Sequence, residues 1–439
     1  MNRKIASLAI PNTLSNITVP LLGVVDTAIA GRLSEGEQAI GAIAIGAAIF
    51  NLIYWNCAFL RMGSSGVTAQ AFGARRLAEC GNILVRSLAI SALLAIILLA
   101  IQRPLSEICF SLMFGSEQVE AMARSYFNIR IWAAPATISL YALYGWFIGM
   151  QNSRTPMLCS FLLNIVNIAV GLWLVFGSGF GIEGIAWATV AAQYSGVLFM
   201  GIVVAIGYRP IIKRIEWHRV LMLQPMLSFF NLNKNIFLRN LLLVAVYTFF
   251  TSASTSMGDN TLALNAILMH LFTLYSYMSD GMALAAESLV GRYIGAQSMT
   301  LLRRAVRSLT LWSACFSLLF VAIYIIGWRE ILAIFSDSAE IINLASDYIW
   351  WIILIPLFGC APFLLDGILI GATDSKTMRN AMLLSTTTFF VTYFATYSIM
   401  GNNALWLSFT TFLIARGGYI LLLTRGLRSV YSCVESKIP

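Results

Sequence analysis

Long, mostly apolar stretches dominate this 439-residue chain and constrain its fold more than any other feature. A helix that crosses the hydrocarbon core of a bilayer needs about 20 mostly apolar residues. Twelve stretches of the sequence satisfy that requirement. Hydrophobic residues make up 59% of the chain and charged residues 11%, whereas soluble domains carry roughly 25% charged residues. The sequence therefore predicts an all-α membrane protein with twelve transmembrane helices.

The basic residues recur in alternate loops, which indicates how the chain crosses the membrane. Cations are frequent at the N-terminus, in every second loop and in the tail, whereas the opposite loops carry few, namely Arg32, Arg103 and Arg329. Because cytoplasmic loops are enriched in Lys and Arg, we expect both termini to be cytoplasmic in a bacterial-type inner (plasma) membrane. The net charge of +9 is spread over these loops, unlike the basic patch typical of nucleic-acid-binding proteins. We therefore expect no nucleic-acid partner.

The second half of the sequence repeats the first in the same order. Gly73 and Gly295, each followed by Ala, lie 222 residues apart, and so do Gly149 and Gly371, each of which begins a Gly-x-x-x-Ser segment. Two repeated six-helix halves that run in the same direction are typical of secondary transporters. We predict an N-terminal lobe at residues 1–206, a cytoplasmic linker at 207–231 and a C-terminal lobe at 232–439.

Asp26 is an acidic residue in the middle of the first apolar stretch. Ionisable groups inside membrane spans are costly and typically mark ion or substrate pathways. No cation lies within one helical turn of Asp26 in the sequence, so binding a proton is a direct way to neutralise it. We expect Asp26 to bind and release a proton, with Pro20 and Gly23 allowing the helix to bend. The alternative is a structural pair with a cation from another helix.

Other polar residues within the apolar stretches are candidates for a solute-binding cavity. Asn164 and Asn167 share one face of the fifth predicted helix. Asn265 and Asp280 lie in the eighth predicted helix, and Asp366 lies in the tenth. Each has a structural interpretation too, because asparagines bond between helices and buried acids pair with cations.

No motif of soluble-enzyme chemistry accompanies these spans. The sequence contains no GxxxxGKS or GxxxxGKT phosphate loop, no GxSxG segment and no cluster of His, Cys and Asp. The seven cysteines show no CxxC or CxxH spacing and lie mostly in apolar stretches, as expected of reduced packing residues. We therefore expect no enzyme activity, no ATP hydrolysis, no cofactor and no metal site.

Five short segments carry a further signal: Pro20–Gly31, Gly73–Arg76, Tyr126–Arg130, Ser279–Gly291 and Leu365–Gly371. In order and spacing they resemble the multidrug and toxic compound extrusion (MATE) transporters, most closely the DinF branch of that family. The resemblance extends over nearly the whole chain. It implies a twelve-helix protein with two lobes around a central cavity, which exports cationic or amphipathic compounds in exchange for H⁺ or Na⁺ by alternating access.

The resemblance also assigns roles to particular residues. It implies that Asp26 is the proton site and that Tyr126, Asn167 and Thr189 belong to the same polar cluster. Relatives carry a second Asp four residues after the Asn, where this chain has Gly171. The departure leaves Asp26 as the sole acid of the cluster and favours H⁺ over Na⁺ as the coupling ion.

The leading hypothesis is a monomeric, H⁺-coupled multidrug antiporter in which protonation of Asp26 bends the first helix and drives the switch that expels the solute. Na⁺ coupling at the same site is one alternative. Another is a flippase for lipid-linked precursors, which would need cations along the cavity to hold phosphate groups. Few cations lie within the spans, since Arg61, Arg124 and Arg130 are near their ends. The antiporter is therefore the preferred interpretation.

Overall fold

Long helices make up most of the molecule. The computed structural model describes residues 1–33, 35–111, 116–220, 222–335 and 339–435, and within these ranges it contains helices and no strand. The twelve long spans, numbered in chain order, are α1 Asn2–Ala30, α2 Gly36–Gly73, α3 Leu77–Ala100, α4 Glu117–Gly149, α5 Arg154–Gly177, α6 Gly181–Gly207, α7 Leu223–Thr255, α8 Asp259–Gly295, α9 Met299–Phe335, α10 Ile349–Ala372, α11 Ser375–Met400 and α12 Asn402–Leu423. Shorter helices lie at Gln102–Ser111, Arg209–Ile212, Trp217–Val220, Ala339–Ala345 and Arg428–Glu435.

Eleven of the described helices are long and apolar enough to cross a membrane. The remaining long span is α11, which has 26 residues and several threonines. The hydroxyls of its Thr387 and Thr388 donate to the carbonyls of Leu383 and Leu384, at 3.0 and 2.9 Å. Such bonding within the helix lets hydroxyl groups lie in an apolar span. The predicted fold class, an all-α membrane protein with twelve transmembrane helices, is confirmed.

The fourth span is interrupted at its centre. Its α-helical segments Glu117–Arg130 and Ala134–Gly149 are joined by a 3₁₀ turn at Ile131–Ala133. Pro135 has no N–H to donate, and it occupies the first turn of the second segment, where that donor is not needed. The interruption therefore follows directly after Arg130, which contributes to the site described below.

Two short helices form the first part of the linker predicted from the sequence, at Arg209–Ile212 and Trp217–Val220. The buried guanidinium of Arg86, on α3, donates to the carbonyl oxygens of Arg219 at 2.7 Å and Val220 at 3.2 Å. A buried charge requires polar partners, and here Glu79 of the same helix supplies one, at 2.7 Å, and the linker backbone supplies the others. The bonds to the backbone fix this part of the linker to α3.

The chain divides into two compact units. The first is Leu14–Phe229, and the second combines Met1–Thr13 with Phe230–Pro439. The first turns of α1 thus belong with the second half of the chain. The Thr13 hydroxyl donates to the carbonyl of Met278 on α8, at 3.4 Å.

Each unit has its own hydrophobic core, rich in aromatic rings. In the first unit Phe50 stacks on Phe127 with ring centroids 5.2 Å apart. In the second unit Phe250 meets Trp406 edge to face at 4.9 Å. Aromatic pairs of this kind contribute about 0.5–1.5 kcal/mol beyond the burial of their area. They pack together the spans that carry the polar residues.

Candidate functional site

Asp26 lies on α1 within the first unit and is 4% exposed. The amide of Asn167, on α5, forms a side-chain hydrogen bond with it, and the guanidinium of Arg130, on α4, interacts with it electrostatically. The Oδ1 atom of Asp26 has no hydrogen-bond partner among the described residues. The carboxyl group therefore interacts with groups from two other spans, and one of its oxygens has no hydrogen bond from the described residues.

Asn167 and Thr189 form the next part of the cluster. Nδ2 of Asn167 donates to Oγ1 of Thr189 at 3.2 Å, and the Thr189 hydroxyl donates to the carbonyl of Ile185 at 3.2 Å. Because the single hydroxyl proton of Thr189 is used within its own helix, its oxygen acts as an acceptor toward Asn167. The Oδ1 atom of Asn167 is buried and has no donor within the described part of the chain.

Tyr126 and Arg130 complete the cluster from α4. Tyr126 is fully buried, and Nη1 of Arg130, four residues later on the same face, donates to its phenolic oxygen. The guanidinium carbon also lies 5.0 Å from the ring centroid of Phe50. Arg130 is thus a cation from another helix that interacts with Asp26, as in the alternative interpretation of that residue.

The ring of Tyr126 packs directly against the backbone of α2. A Cβ atom added at Gly46 would lie 2.5 Å from Cδ1 and 2.7 Å from Cε1 of that ring. These distances are shorter than any normal carbon–carbon contact, so the position requires glycine. Gly46 thereby sets the depth of Tyr126 in the cluster.

Gly171 lies at the position where the family resemblance predicts a second Asp beside Asp26. A Cβ atom there would lie 3.4 Å from Cδ1 of Ile29 and 3.5 Å from Cβ of Ala188, which is ordinary van der Waals contact. Position 171 therefore faces α1 about one turn beyond Asp26, and it faces α6 next to Thr189. The packing would admit a Cβ atom at this position, and the glycine leaves it without a carboxylate.

Asn164 takes no part in these contacts. It is partly exposed, and its Nδ2 donates to the carbonyl of Ser160 in its own helix at 2.9 Å. The Ser160 hydroxyl in turn contacts the hydroxyl of Ser15, on α1, at 2.6 Å. Of the two asparagines on this face of α5, the structure therefore brings Asn167 to Asp26.

Asn265 lies in the core of the second unit. Its Nδ2 donates to Oγ of Ser254 and to Oδ1 of Asn402, both at 2.8 Å, and its Oδ1 accepts from Nε1 of Trp406 at 2.9 Å. The amide is therefore occupied by bonds between α7, α8 and α12, as in the structural interpretation of this residue.

Asp366 lies in the second unit between two buried arginines. Arg239, on α7, and Arg416, on α12, both donate from Nη2 to its Oδ2. Asp280, on α8, is partly exposed and interacts electrostatically with Arg239. The expectation that cations within the spans lie near the ends is wrong for Arg130, at the centre of α4, and for Arg239 and Arg416 in this unit. For the latter two, the reason is that a buried acid holds both arginines inside the bundle.

Comparison with known proteins places the chain in a family. The family model MatE matches residues 11–173 and again 236–394. DNA damage-inducible protein F of Escherichia coli is 35% identical over 93% of this chain and 89% of its own length. This chain belongs to the MatE family. The double match confirms the internal repeat, and the family and its structural neighbours are transporters rather than enzymes.

More distant members and solved structures agree with this placement. The probable multidrug resistance protein NorM of Thermotoga maritima is 24% identical over 79% of this chain and 75% of its own length. The crystal structure of a MATE in the bent conformation has a TM-score of 0.88, at 18% identity, over 99% of this chain and 96% of that one. The transporter VcmN of Vibrio cholerae, in the bent form, has a TM-score of 0.84, at 18% identity, with 98% of each chain covered. The fold of this MatE member is thus that of a MATE transporter.

Three arginines of this MatE chain were not among the predicted site residues, namely Arg130, Arg239 and Arg416. Arg130 follows Tyr126 by four residues, so placing Tyr126 in the cluster also puts Arg130 on the same helix face. Arg239 and Arg416 lie 127 and 50 residues from Asp366. For these two the available signal was Asp366 itself, because a buried acid usually implies a cation near it.

Proposed function

We propose that this chain is an H⁺-coupled efflux transporter for cationic or amphipathic small molecules, with Asp26 as the residue that binds the proton. Relatives named for multidrug resistance support the efflux part: NorM of Thermotoga maritima and MdtK of Proteus mirabilis, the latter 24% identical over 91% of this chain. The proton part rests on the geometry of the Asp26 cluster.

Two acceptors without donors, on two side chains that interact with each other, carry the proposal. Oδ1 of Asp26 and Oδ1 of Asn167 are both buried and lack a donor among the residues described. A carboxylate only accepts hydrogen bonds, whereas a protonated carboxyl group also donates one. A proton on Asp26 therefore supplies the missing donor and removes a buried charge at the same time.

The same atoms favour H⁺ over Na⁺. Hard metal cations such as Mg²⁺ and Ca²⁺ take about six or more oxygen ligands, and we expect Na⁺ likewise to need several. A proton requires a single acceptor. The cluster contains one carboxylate, and Gly171 supplies no second one. A metal cation at Asp26 would also be repelled by the positive charge of Arg130, which interacts electrostatically with Asp26.

The proposed cycle follows from the change in charge. Deprotonated Asp26 attracts the guanidinium of Arg130, and protonation removes that attraction. Protonation also changes the hydrogen bond to Asn167, since Asp26 becomes a donor. Because Asp26, Arg130 and Asn167 lie on three different spans, each change alters how α1 packs against α4 and α5. In this cycle α1 bends near Pro20 and Gly23 and expels the solute, and release of the proton to the cytoplasm resets it.

Buried arginines in the second unit give some support to the alternative function, a flippase for lipid-linked precursors. It needs cations that can hold phosphate groups, and Arg239 and Arg416 are buried cations within the spans. Both, however, already donate to Asp366. Flipping of a fluorescent polyprenyl phosphate by reconstituted protein would be the specific sign of this activity.

Reconstituted protein in liposomes tests the proposal. We expect uptake of a fluorescent cationic dye driven by an imposed pH gradient in sodium-free buffer, with proton movement in the opposite direction. Nigericin with K⁺ on both sides should abolish it, and protein-free liposomes should show none. Transport that requires a Na⁺ gradient and ignores the pH gradient would contradict H⁺ coupling. We propose that the same protein is a monomer in a bacterial inner membrane with both termini cytoplasmic.

A further inference from the structure

The second unit contains a group of charges that the proposed proton site does not use. Arg239 and Arg416 converge on one oxygen of Asp366, and Asp280 also interacts electrostatically with Arg239. The two arginines and Asp366 are buried. Oδ1 of Asp366 and the Nε atoms of both arginines have no hydrogen-bond partner among the described residues.

The arginine donors exceed what their protein partners accept. Arg239 donates from Nη2 to Asp366 and from Nη1 to Oδ1 of Asn240 at 2.8 Å, and Arg416 donates from Nη2 to Asp366. A guanidinium has five N–H donors in a planar fork that matches a carboxylate, sulfonate or phosphate. Buried donors without acceptors are unfavourable, and an anionic group with two or three oxygens can accept from more of these donors than the single bonded oxygen of Asp366 does.

The surroundings of the arginines are partly open and aromatic. Tyr247 interacts electrostatically with both arginines and with Asp280, and Tyr247, Asp280 and Tyr277 are all partly exposed. The Arg416 guanidinium also lies 5.6 Å from the ring centroid of Phe363. A ligand with an anionic group and an apolar body would find arginine donors and aromatic rings together.

We propose that Arg239 and Arg416 form a binding site for the anionic group of an amphipathic solute, which replaces Asp366 on the two guanidinium groups. The inference rests on the proposed efflux function and adds a substrate class to it: amphipathic anions and zwitterions. Asp366 then acts as the internal occupant that keeps the arginines paired when no solute is bound.

A matched pair of fluorescent probes tests the site. 1-Anilinonaphthalene-8-sulfonate (ANS) and N-phenyl-1-naphthylamine share an aromatic body and differ in the sulfonate. In nanodiscs of neutral lipid, we expect Arg416→Gln to weaken ANS binding about tenfold. Asp366→Asn should strengthen it, because the internal competitor is lost. The uncharged probe should bind both variants as it binds the wild type, and Arg428→Gln, at an exposed arginine, should alter neither probe.

Equal changes for the two probes, or unchanged ANS binding in Arg416→Gln, would overturn the inference. Should Asp366→Asn fail to give a monodisperse protein, Arg416→Lys carries the test, since it keeps the charge, loses the planar fork and should weaken ANS alone. Nanodiscs with phosphatidylglycerol distinguish the source of the anion: a lipid headgroup at the site lowers ANS affinity in the wild type and not in Arg416→Gln. Binding is measured without a gradient, so a failure of H⁺ coupling leaves this result unaffected.

Discussion

Asn167 donates a hydrogen bond from Nδ2 to Oγ1 of Thr189, 3.2 Å away, while its own Oδ1 has no donor in the part of the chain that the structure describes. The same amide bonds to Asp26. One side chain thus links the acid of α1 to the hydroxyl of α6. We propose that a proton on Asp26 changes this link and so drives transport.

Removing the link should slow transport. Asn167→Ala deletes the partner of both Asp26 and Thr189, and leaving a buried polar group unpaired costs about 1–3 kcal/mol. We expect dye transport driven by a pH gradient to fall about tenfold. Asn164→Ala is the matched control, because that amide donates to a carbonyl of its own helix. Equal losses in the two variants would show that the link to Asp26 has no special role.

Gly46 should be intolerant of any side chain. Its Cβ would come within 2.5 Å of the Tyr126 ring, and overpacking of this kind destabilises a core by about 1–3 kcal/mol. We expect Gly46→Ala to lower the thermal unfolding midpoint in detergent and to reduce transport. Gly201→Ala, at a glycine with nothing within 4 Å of its Cβ position, should lower neither the midpoint nor the transport rate. A Gly46→Ala protein with the stability and activity of the wild type would contradict the packing described here.

The sequence predicted the scaffold well because its signals are local. Twelve apolar stretches and an offset of 222 residues are visible without any knowledge of contacts. The cluster of Asp26, Tyr126, Asn167 and Thr189 came from family resemblance, and the structure brings its members together. The pairing of Arg239 and Arg416 with Asp366 could not be predicted in this way, since pairing between residues 50 or more positions apart leaves no periodic signal.

Asn164 and Asn265 were predicted as site residues, but in the structure their hydrogen bonds are used elsewhere. Helical spacing places Asn164 on the face of Asn167, but its amide bonds within its own helix. Asn265 is an asparagine within a span, like Asn167, yet Ser254, Asn402 and Trp406 occupy it. Whether a buried amide is free to take part in a site depends on its neighbours in three dimensions, which helical periodicity does not encode.

The bending of α1 can be tested at Gly23. A Cβ there would meet nothing within 4 Å, so Gly23→Ala changes backbone flexibility without a clash. Alanine favours the helix over glycine by about 0.5–1 kcal/mol. We expect a lower transport rate at unchanged or slightly higher thermal stability, whereas Gly201→Ala on α6 should transport normally. Unchanged transport in Gly23→Ala would argue against a bend at this residue.

Two cysteines report the orientation of the chain. Cys109 lies in the short helix between α3 and α4, and Cys433 lies in the helix after α12. The charge pattern predicts opposite sides of the membrane for them. In variants that retain one of these cysteines, a membrane-impermeant maleimide should label Cys109 from outside spheroplasts and Cys433 after permeabilisation. The reverse pattern would overturn the predicted topology.

The rate at which the maleimide labels Cys109 should depend on pH in a predictable way. Burial raises the pKa of the Cys109 thiol above its ordinary value. Because the thiolate is the reactive form, a raised pKa means less thiolate at a given pH. We expect Cys109 to react more slowly in the folded protein than in unfolded protein at the same pH, and its rate to keep rising at pH values where an ordinary thiol has reached its plateau. Equal rate–pH profiles for folded and unfolded protein would contradict this.

The role of Asp26 as the proton-binding residue is tested by proton flux coupled to dye transport in liposomes, compared between wild type and Asp26→Asn. Asparagine keeps the size of the side chain and cannot titrate, so its effect is on the proton. We predict that the wild type moves protons against the dye and that Asp26→Asn, folded and still able to bind the dye, shows neither proton flux nor transport driven by the pH gradient. Transport by Asp26→Asn at the wild-type rate, with the same dependence on the pH gradient, would contradict the role of Asp26.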